Sequence, residues 1–256
     1  MLLAIDIGNS NVVIGCLDEN NRTKALFRMV TDLKKTEDEY AAGMQAILDH
    51  NKVDCSAFEG AIICSVVPPL TEIFRIAAEK ITGCHAMVVG AGIKTGLNIL
   101  IENPASLGSD LVAAAVAAKE QFPLPVIVID MGTATTITVI DEGSRFVGGA
   151  IIPGVKLSMD ALSAGTSLLQ KVPLDAPKKC ISTTTTECMQ SGAVFGNAAM
   201  LDGMIDRFEA ELGKKVSVVA TGGIAPKIIS HCSHSIVYDE DLLLKGLNII
   251  YQKNKR

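Results

Sequence analysis

Two aspartates, Asp6 and Asp130, are the first candidates for a functional site in this sequence. Asp6 follows an apolar run and precedes a polar turn, residues 8–11, after which a second apolar run begins. Gly8 and Asn9 are residue types that reach positive φ at low cost, so the segment predicts a β-hairpin with a carboxylate at its entrance. Backbone N–H groups in such a turn can cradle an anion, and Asp6 could hold a cation or its waters beside it. An anion site beside a cation site is what binding the phosphates of a Mg-nucleotide requires. The same residues would also fit an ordinary N-terminal hairpin without a ligand.

The same pattern returns after about half the chain. Asp130 again follows an apolar run, and Gly132 and Thr133 then lead into a β-branched strand. A repeat at half-length indicates two related halves that each open with this hairpin. Two hairpins facing one cleft would bring carboxylates and hydroxyls to the phosphates. The repeat therefore favours nucleotide binding over a single structural hairpin.

A third carboxylate, Asp110, stands between a loop and a helix. Pro104 and Gly108 mark the loop, and the Ala-rich helix is predicted from Leu111 to Lys119. The commoner role of an aspartate here is to interact favourably with the helix dipole. A general base is the competing interpretation, because the loop leads straight back to the second hairpin.

Strands that alternate with helices must position these residues, which indicates an α/β architecture. Thr36 and Glu39 have the spacing of a capping box, and we expect an amphipathic helix from there to about His50. Gly148 to Gly154 flanks a short apolar strand with glycines, which suits close backbone approach to a ligand or to another chain. One of four threonines, residues 183–186, is expected to cap the long helix that follows.

A glycine pair ends a predicted strand near the C-terminus. Gly222 and Gly223 follow the apolar run 216–220 and Thr221. A Gly-Gly turn at the carboxyl end of a strand is a natural place for the adenosine of a nucleotide, although such a pair alone is a weak signal.

Composition limits the classes of function. The chain has 256 residues, of which 48% are hydrophobic and 20% charged, so it can bury one large core or two smaller ones. Its net charge is −5 and no Lys/Arg-rich run precedes the last four residues, which argues against nucleic acid as the main partner. Seven scattered cysteines without a C-x-x-C motif indicate reduced thiols. With no run long enough to span a bilayer, we expect a cytoplasmic protein without a membrane partner.

The motifs taken together resemble those of type III pantothenate kinases. Asp-x-Gly-Asn-Ser, Gly-x-Asp before an Ala-rich helix, Asp-x-Gly-Thr-Ala-Thr-Thr, Gly-Gly-x-Ile-x-Pro-Gly and Thr-Gly-Gly occur in the same order. The resemblance covers essentially the whole chain, and the ordered set is specific although each motif alone is not.

The resemblance implies an α/β fold of the acetate/sugar kinase–Hsp70–actin type. In that fold two similar ribonuclease-H-like halves, here residues 1–121 and 122–256, surround a nucleotide cleft. The family phosphorylates pantothenate to 4′-phosphopantothenate with ATP, the first step of coenzyme A biosynthesis. The resemblance also implies Mg²⁺, a monovalent cation (K⁺ or NH₄⁺), and a homodimer whose active site lies at the subunit interface.

The resemblance assigns roles to particular positions. Asp110 would be the general base; Asp130 would ligate the monovalent cation and Asp6 the Mg²⁺, directly or through water. ATP would contact Asp6, Ile7, Gly8, Asn9, Ser10, Asn11, Val12, Val13 and Thr133, with Gly222 and Gly223 on the adenosine side. Pantothenate would contact Ile101, Gly108, Ser109, Asp110, Leu111 and Thr185.

Two positions depart from the family pattern. Leu111 stands where the family usually has Arg, and Ile101 where it usually has Tyr. An Arg-to-Leu change removes a planar fork that can grip a carboxylate. Two alternatives therefore stay open: a non-catalytic nucleotide-binding regulator or accessory protein, and a kinase for another small hydroxy compound. Retention of Asp110 argues against the first.

Overall fold

The structure is a computed structural model of the chain and describes residues 1–255, without the side chain of Ala105. The strands are β1 (Leu2–Ile7), β2 (Asn11–Leu17), β3 (Thr23–Val30), β4 (Gly60–Ser65), β5 (Ala86–Val88), β6 (Asn98–Ile99), β7 (Val126–Met131), β8 (Ala134–Ile140), β9 (Arg145–Pro153), β10 (Ser217–Thr221) and β11 (Val237–Tyr238). The α-helices are α1 (Glu37–His50), α2 (Pro68–Thr82), α3 (Ser109–Gln121), α4 (Val155–Ala164), α5 (Thr185–Ser191), α6 (Asn197–Leu212), α7 (Ala225–Ile229) and α8 (Leu242–Asn254).

The chain forms two compact units. The first consists of Met1–Gln121 together with Asp241–Arg256, and the second of Phe122–Glu240. From the sequence we expected residues 241–256 to belong to the second half. Their contacts place them with the first unit instead, where the Tyr251 hydroxyl donates to the Glu59 carbonyl oxygen at 3.0 Å.

The two units repeat one sheet topology. In the first, the order is β3-β2-β1-β4-β5, with β1, β2 and β3 antiparallel and with β4 and β5 parallel to β1. In the second, β9-β8-β7-β10-β11 has the same order and the same strand directions. The predicted α/β fold with two similar halves is therefore confirmed at the level of topology.

Alternation along β1 gives the first sheet two apolar faces. Leu3 and Ile5 pack with α1 and α2 in one cluster of buried side chains. Leu2 and Ala4 belong to a second cluster on the opposite face, together with α3 and α8. Asp6 continues this second series and therefore lies on the α3 face of β1.

Helix α3 and helix α8 approach each other closely because small residues line their contact. The alanines of α3 are buried, among them Ala113 and Ala117. A Cβ added to Gly246 of α8 would stand 1.8 Å from the Ala113 carbonyl oxygen. The Ala-rich composition of α3 therefore serves a helix–helix contact that no larger side chain would allow.

Helix starts were predicted correctly where a side chain caps the helix. The capping box at Thr36 and Glu39 is confirmed, and Tyr40 and Met44 are buried on the inner face of α1. Helix α3 begins at Ser109, two residues before the predicted start, so Asp110 lies in its first turn rather than ahead of it. Helices α5 and α6 are joined without a break by a π-helical segment, Gly192–Gly196.

Candidate active site

The two predicted hairpins are present and differ by one residue in the turn. Asp6 pairs with Val13 and Asp130 with Thr136, so each aspartate occupies the same place near the end of its strand. Gly8 donates its N–H to the Asn11 carbonyl oxygen at 3.1 Å, and the Gly132 N–H donates to the Ala134 carbonyl oxygen at 3.0 Å. The first turn has four residues between its last paired positions and the second has three.

The reason for glycine in the first turn differs from the expected one. Neither Gly8 nor Asn9 is among the residues with positive φ. A Cβ on Gly8 would instead lie 3.0 Å from the Asn11 carbonyl oxygen, which is a steric constraint. The turn is fixed from outside by Thr31, whose hydroxyl donates to the Gly8 carbonyl oxygen at 2.6 Å. Asn9, Ser10 and Asn11 remain exposed.

Glycines around the second hairpin approach their own chain. A Cβ on Gly154 would lie 2.2 Å from the Thr133 carbonyl oxygen, and one on Gly149 would lie 2.0 Å from that of Ile137. Gly222 has a φ of +93° and stands against the Met131 backbone, with only 2.6 Å from a built Cβ to the Met131 carbonyl oxygen. Close approach to their own chain is therefore a sufficient reason for glycine at positions 149 and 154. Gly223 faces open space.

Asp110 is half-buried in the first turn of α3. Its Oδ1 accepts a hydrogen bond from the Leu111 N–H at 2.8 Å. Burial raises the pKa of this carboxyl above its ordinary value, and the backbone hydrogen bonds offset part of that rise. A carboxylate with a raised pKa is a better proton acceptor, which is the property a general base needs.

Gly108 makes room for this carboxylate. A Cβ at position 108 would lie 2.3 Å from Asp110 Oδ1. Because φ at Gly108 is not in the left-handed region, the glycine is explained by this close approach and not by backbone conformation. The Gly-x-Asp spacing therefore has a direct steric meaning.

The remaining predicted pantothenate positions are distributed between the units. In the first, Ile101 and Leu111 are half-buried, and the Ser109 hydroxyl is engaged with β4: it accepts from the Ser65 N–H at 3.2 Å and donates to the Ser65 carbonyl oxygen at 3.3 Å. In the second, Thr184 caps α5, its hydroxyl accepting from the Glu187 N–H at 3.2 Å. The predicted threonine cap is confirmed, and Thr185 is left on the wall of a groove.

This groove of about 440 Å³ lies between α4 and the α5–π segment. Its lining is mostly apolar and includes Leu162, Leu169 and Met189, with Thr185 and Asn197 as polar members.

Comparisons with known proteins decide which family these motifs represent. The family model described as type III pantothenate kinase matches residues 2–207. A type III pantothenate kinase from Halalkalibacterium halodurans is 40% identical over 255 residues, which cover 99% of this chain and 100% of that protein. The chain belongs to the type III pantothenate kinase family. As a member of this family it is an enzyme, a kinase.

Solved structures support the fold of this type III pantothenate kinase family member. A protein from Campylobacter jejuni, described as a Baf family transcriptional activator, matches with a TM-score of 0.61 and 22% identity over 98% of both chains. An inorganic polyphosphate/ATP-glucomannokinase from an Arthrobacter strain matches with a TM-score of 0.50 and 15% identity over 99% of both. At these identities the likeness concerns the fold alone, which is the sugar-kinase type with two similar domains.

Three residues that hydrogen-bond to predicted site residues were not predicted from the sequence. Thr31 fastens the first turn, Ser65 receives the Ser109 hydroxyl, and Cys64 of β4 donates its thiol hydrogen to Asp6 Oδ1 at 3.1 Å. Each lies far from its partner along the chain, so no local motif predicts the contact.

Within residues 1–255, no helix is both long and apolar enough to cross a membrane.

Proposed function

We propose that this chain transfers the γ-phosphoryl group of ATP to the primary hydroxyl of pantothenate, giving 4′-phosphopantothenate and ADP. This reaction is the first step of coenzyme A biosynthesis. The observation that carries the proposal is the match to type III pantothenate kinases at 40% identity over the full length of both chains. Use of ATP belongs to that kinase activity.

Asp110 is the proposed general base. Its partly buried carboxylate, with the raised pKa, would orient the attacking hydroxyl and accept its proton. Phosphoryl transfer depends mainly on positioning and charge neutralisation, so a single well-placed carboxylate is enough on the acceptor side. Gly108 supports this assignment because it leaves the space that Asp110 Oδ1 occupies.

The two hairpins are the proposed phosphate site. Residues 6–13 and Thr133 would bind the phosphates through turn N–H groups and hydroxyls, and Gly222 and Gly223 would lie on the adenosine side. Among the described residues no group of three or more His, Cys, Asp or Glu side chains gathers as metal ligands. One carboxylate, Asp6, fits Mg²⁺, which commonly takes one or two carboxylates together with substrate phosphates and water. When bound, the divalent ion would neutralise phosphate charge.

Asp130 is the proposed ligand of a monovalent cation. Its Oδ1 lies 3.9 Å from the place of a built Cβ on Gly132, the glycine of the same hairpin turn. A carboxylate together with backbone carbonyl oxygens of that turn would be an oxygen donor set that suits K⁺ or NH₄⁺. The position of Asp130 relative to the turn supports the assignment.

If Asp130 ligates the cation, turnover should need K⁺ or NH₄⁺ and fall sharply in Na⁺ alone. Asp130→Asn should lower the rate and weaken this dependence, because a neutral amide attracts a cation less than a carboxylate does. ADP release is measured in each salt at constant ionic strength. Asp175→Asn is the matched control, since Asp175 pairs with Lys227 on the exposed surface. Equal activity of the parent protein in all three cations would contradict the assignment.

The acceptor site is where this chain departs from its family. Leu111 and Ile101 replace an Arg and a Tyr that are expected to face pantothenate, and the Ser109 hydroxyl is engaged with Ser65. The test is ADP release with ATP, Mg²⁺ and K⁺, using pantothenate beside a panel of small alcohols. Turnover with another alcohol and none with pantothenate would favour a kinase of different specificity. No turnover with any acceptor would favour the non-catalytic alternative.

A homodimer is the proposed assembly, and large apolar side chains in the second unit support it. Ile151 is 75% exposed, Leu157 51%, Leu168 89% and Ile181 87%. Covering them with a second copy would remove this apolar surface from water. Light scattering should give twice the chain mass of 27.0 kDa. A fully active species of 27.0 kDa would contradict the dimer.

A cytoplasmic location is proposed with the enzyme. All seven cysteines are free thiols, and Cys180 and Cys188 are exposed. Reduced exposed thiols are typical of proteins kept in a reducing compartment.

A further inference from the structure

Cys64 lies directly opposite Asp6 in the first sheet. The parallel pairing of β1 and β4 places the two residues in register. The Cys64 side chain is completely buried, and its Sγ is 3.1 Å from Asp6 Oδ1. A buried cysteine is commonly an inert small apolar residue, and here it instead contacts a carboxylate that the proposed function uses.

The direction of this hydrogen bond is fixed by chemistry. An ionised carboxylate can only accept, so the thiol must donate. The Cys64 thiol lies at hydrogen-bond distance from Asp6 Oδ1 and is the donor of this pair.

The end of β4 also holds the helix that carries Asp110. Ser65, the next residue, exchanges two hydrogen bonds with the Ser109 hydroxyl at the start of α3. Cys64 and Ser65 thus connect β1 to α3 through adjacent residues of one strand. The two carboxylates of the proposed mechanism are placed from the same short segment.

We propose that Cys64 is a positioning residue that orients the Asp6 carboxylate toward the metal and phosphate site. The inference rests on the proposed function, in which Asp6 holds the divalent ion. The terminal torsion of an aspartate is broad, so a hydrogen bond to the carboxylate narrows the range of orientations that it samples. Partners that orient a metal-binding side chain commonly contribute 10–100-fold to metal affinity.

The test compares donors at position 64. Cys64→Ala removes the donor, whereas Cys64→Ser keeps a hydroxyl that can donate to Asp6. Cys16→Ala is the matched control, because Cys16 is also completely buried in the first unit, on β2, and belongs to the apolar cluster on the other face of the sheet. Burial raises the pKa of its thiol to about 12. Both alanine variants therefore delete a buried protonated thiol from the same sheet.

The main readout is equilibrium binding of a fluorescent, non-hydrolysable ATP analogue as a function of Mg²⁺ concentration. Cys64→Ala should raise the Mg²⁺ concentration for half-maximal binding by about 10–100-fold, whereas Cys64→Ser and Cys16→Ala should stay close to the parent. Melting curves report the structural cost of each change. If Cys64→Ala does not fold, Cys64→Val is used instead, because valine also lacks the donor but fills the space of the cysteine with an apolar side chain.

Two results would overturn the inference. One is parent-like Mg²⁺ dependence in a folded variant that lacks the donor, and the other is a Ser variant as weak as the Ala variant. Activity assays distinguish failure of the Cys64 positioning role from failure of the proposed kinase function. A parent that binds Mg-nucleotide but phosphorylates no acceptor would refute the kinase activity, while the binding pattern of the Cys64 variants would still support its positioning role.

Discussion

Asp110→Asn should lower turnover by about 10²–10⁴-fold, the usual contribution of a general base, while the affinity for ATP stays nearly unchanged. The amide keeps the size of the carboxylate and can still accept the hydrogen bond from the Leu111 N–H. It cannot take a proton from the attacking hydroxyl. Steady-state kinetics with varied ATP and varied acceptor measure both quantities.

The pH profile gives the same prediction a second readout. Turnover requires the deprotonated form of Asp110, so it is lost as the pH falls through the pKa of this group. Because burial raises that pKa above the ordinary value of 3.8, the loss should begin at a higher pH than for an exposed aspartate. The acidic limb assigned to Asp110 should be absent in the residual activity of Asp110→Asn.

A helix-terminus role for Asp110 predicts a different result. Asn is also well tolerated near a helix start, so stability would change by about 1 kcal/mol or less and turnover would hardly move. Gly108→Ala distinguishes the two roles without changing Asp110 itself. The new Cβ would stand 2.3 Å from Asp110 Oδ1 and displace the carboxylate. A shifted melting curve with intact turnover in both variants would make Asp110 a structural residue.

Gly246→Ala should destabilise the protein strongly. The added Cβ would lie 1.8 Å from the Ala113 carbonyl oxygen, and a backbone atom within a helix cannot move aside alone. Overpacking of a core costs about 1–3 kcal/mol and occasionally more. A loss of 3 kcal/mol corresponds to roughly 6–12 °C in melting temperature for a chain of this size. Turnover should fall as well, because α3 carries Asp110.

Gly203→Ala is the control for this effect. Its Cβ would meet only the far end of the flexible Arg207 side chain, at 3.1 Å. Alanine is favoured over glycine in a helix by about 1 kcal/mol, so this variant of α6 should melt at or above the parent temperature. If Gly246→Ala melts with the parent, the close α3–α8 contact is wrong.

Features encoded within a few residues were predicted well from the sequence. The capping box at Thr36 needs only its own helix start, and the hairpins at Asp6 and Asp130 need only two apolar runs around a turn. The repeated hairpin also predicted two similar halves, because each half reuses the same strand order. Asp110 was identified through its motif, and its role as a base remains a prediction.

Long-range pairing was beyond the sequence. The hydrogen bond from Cys64 to Asp6 depends on the register of β1 against β4, and nothing near either residue sets that register. The unit to which residues 241–256 belong depends on whether α8 packs against α3. Gly246 allows that close contact, but its role can be recognised only when α3 is known to be the partner. The glycines at 149 and 154 correctly indicated close approach, which the structure shows toward strand β8 for Gly149 and toward the turn at Thr133 for Gly154.

The discontinuity of the first unit has a consequence for the order of synthesis. The chain leaves this unit after Gln121 and returns at Asp241, so the residues of the second unit are made before the first can be completed. At 5–20 residues per second the intervening segment takes about 6–24 seconds to translate. During that interval the small apolar face of α3 has no α8 to pack against. The first unit can therefore be completed only after the whole second unit has been synthesised.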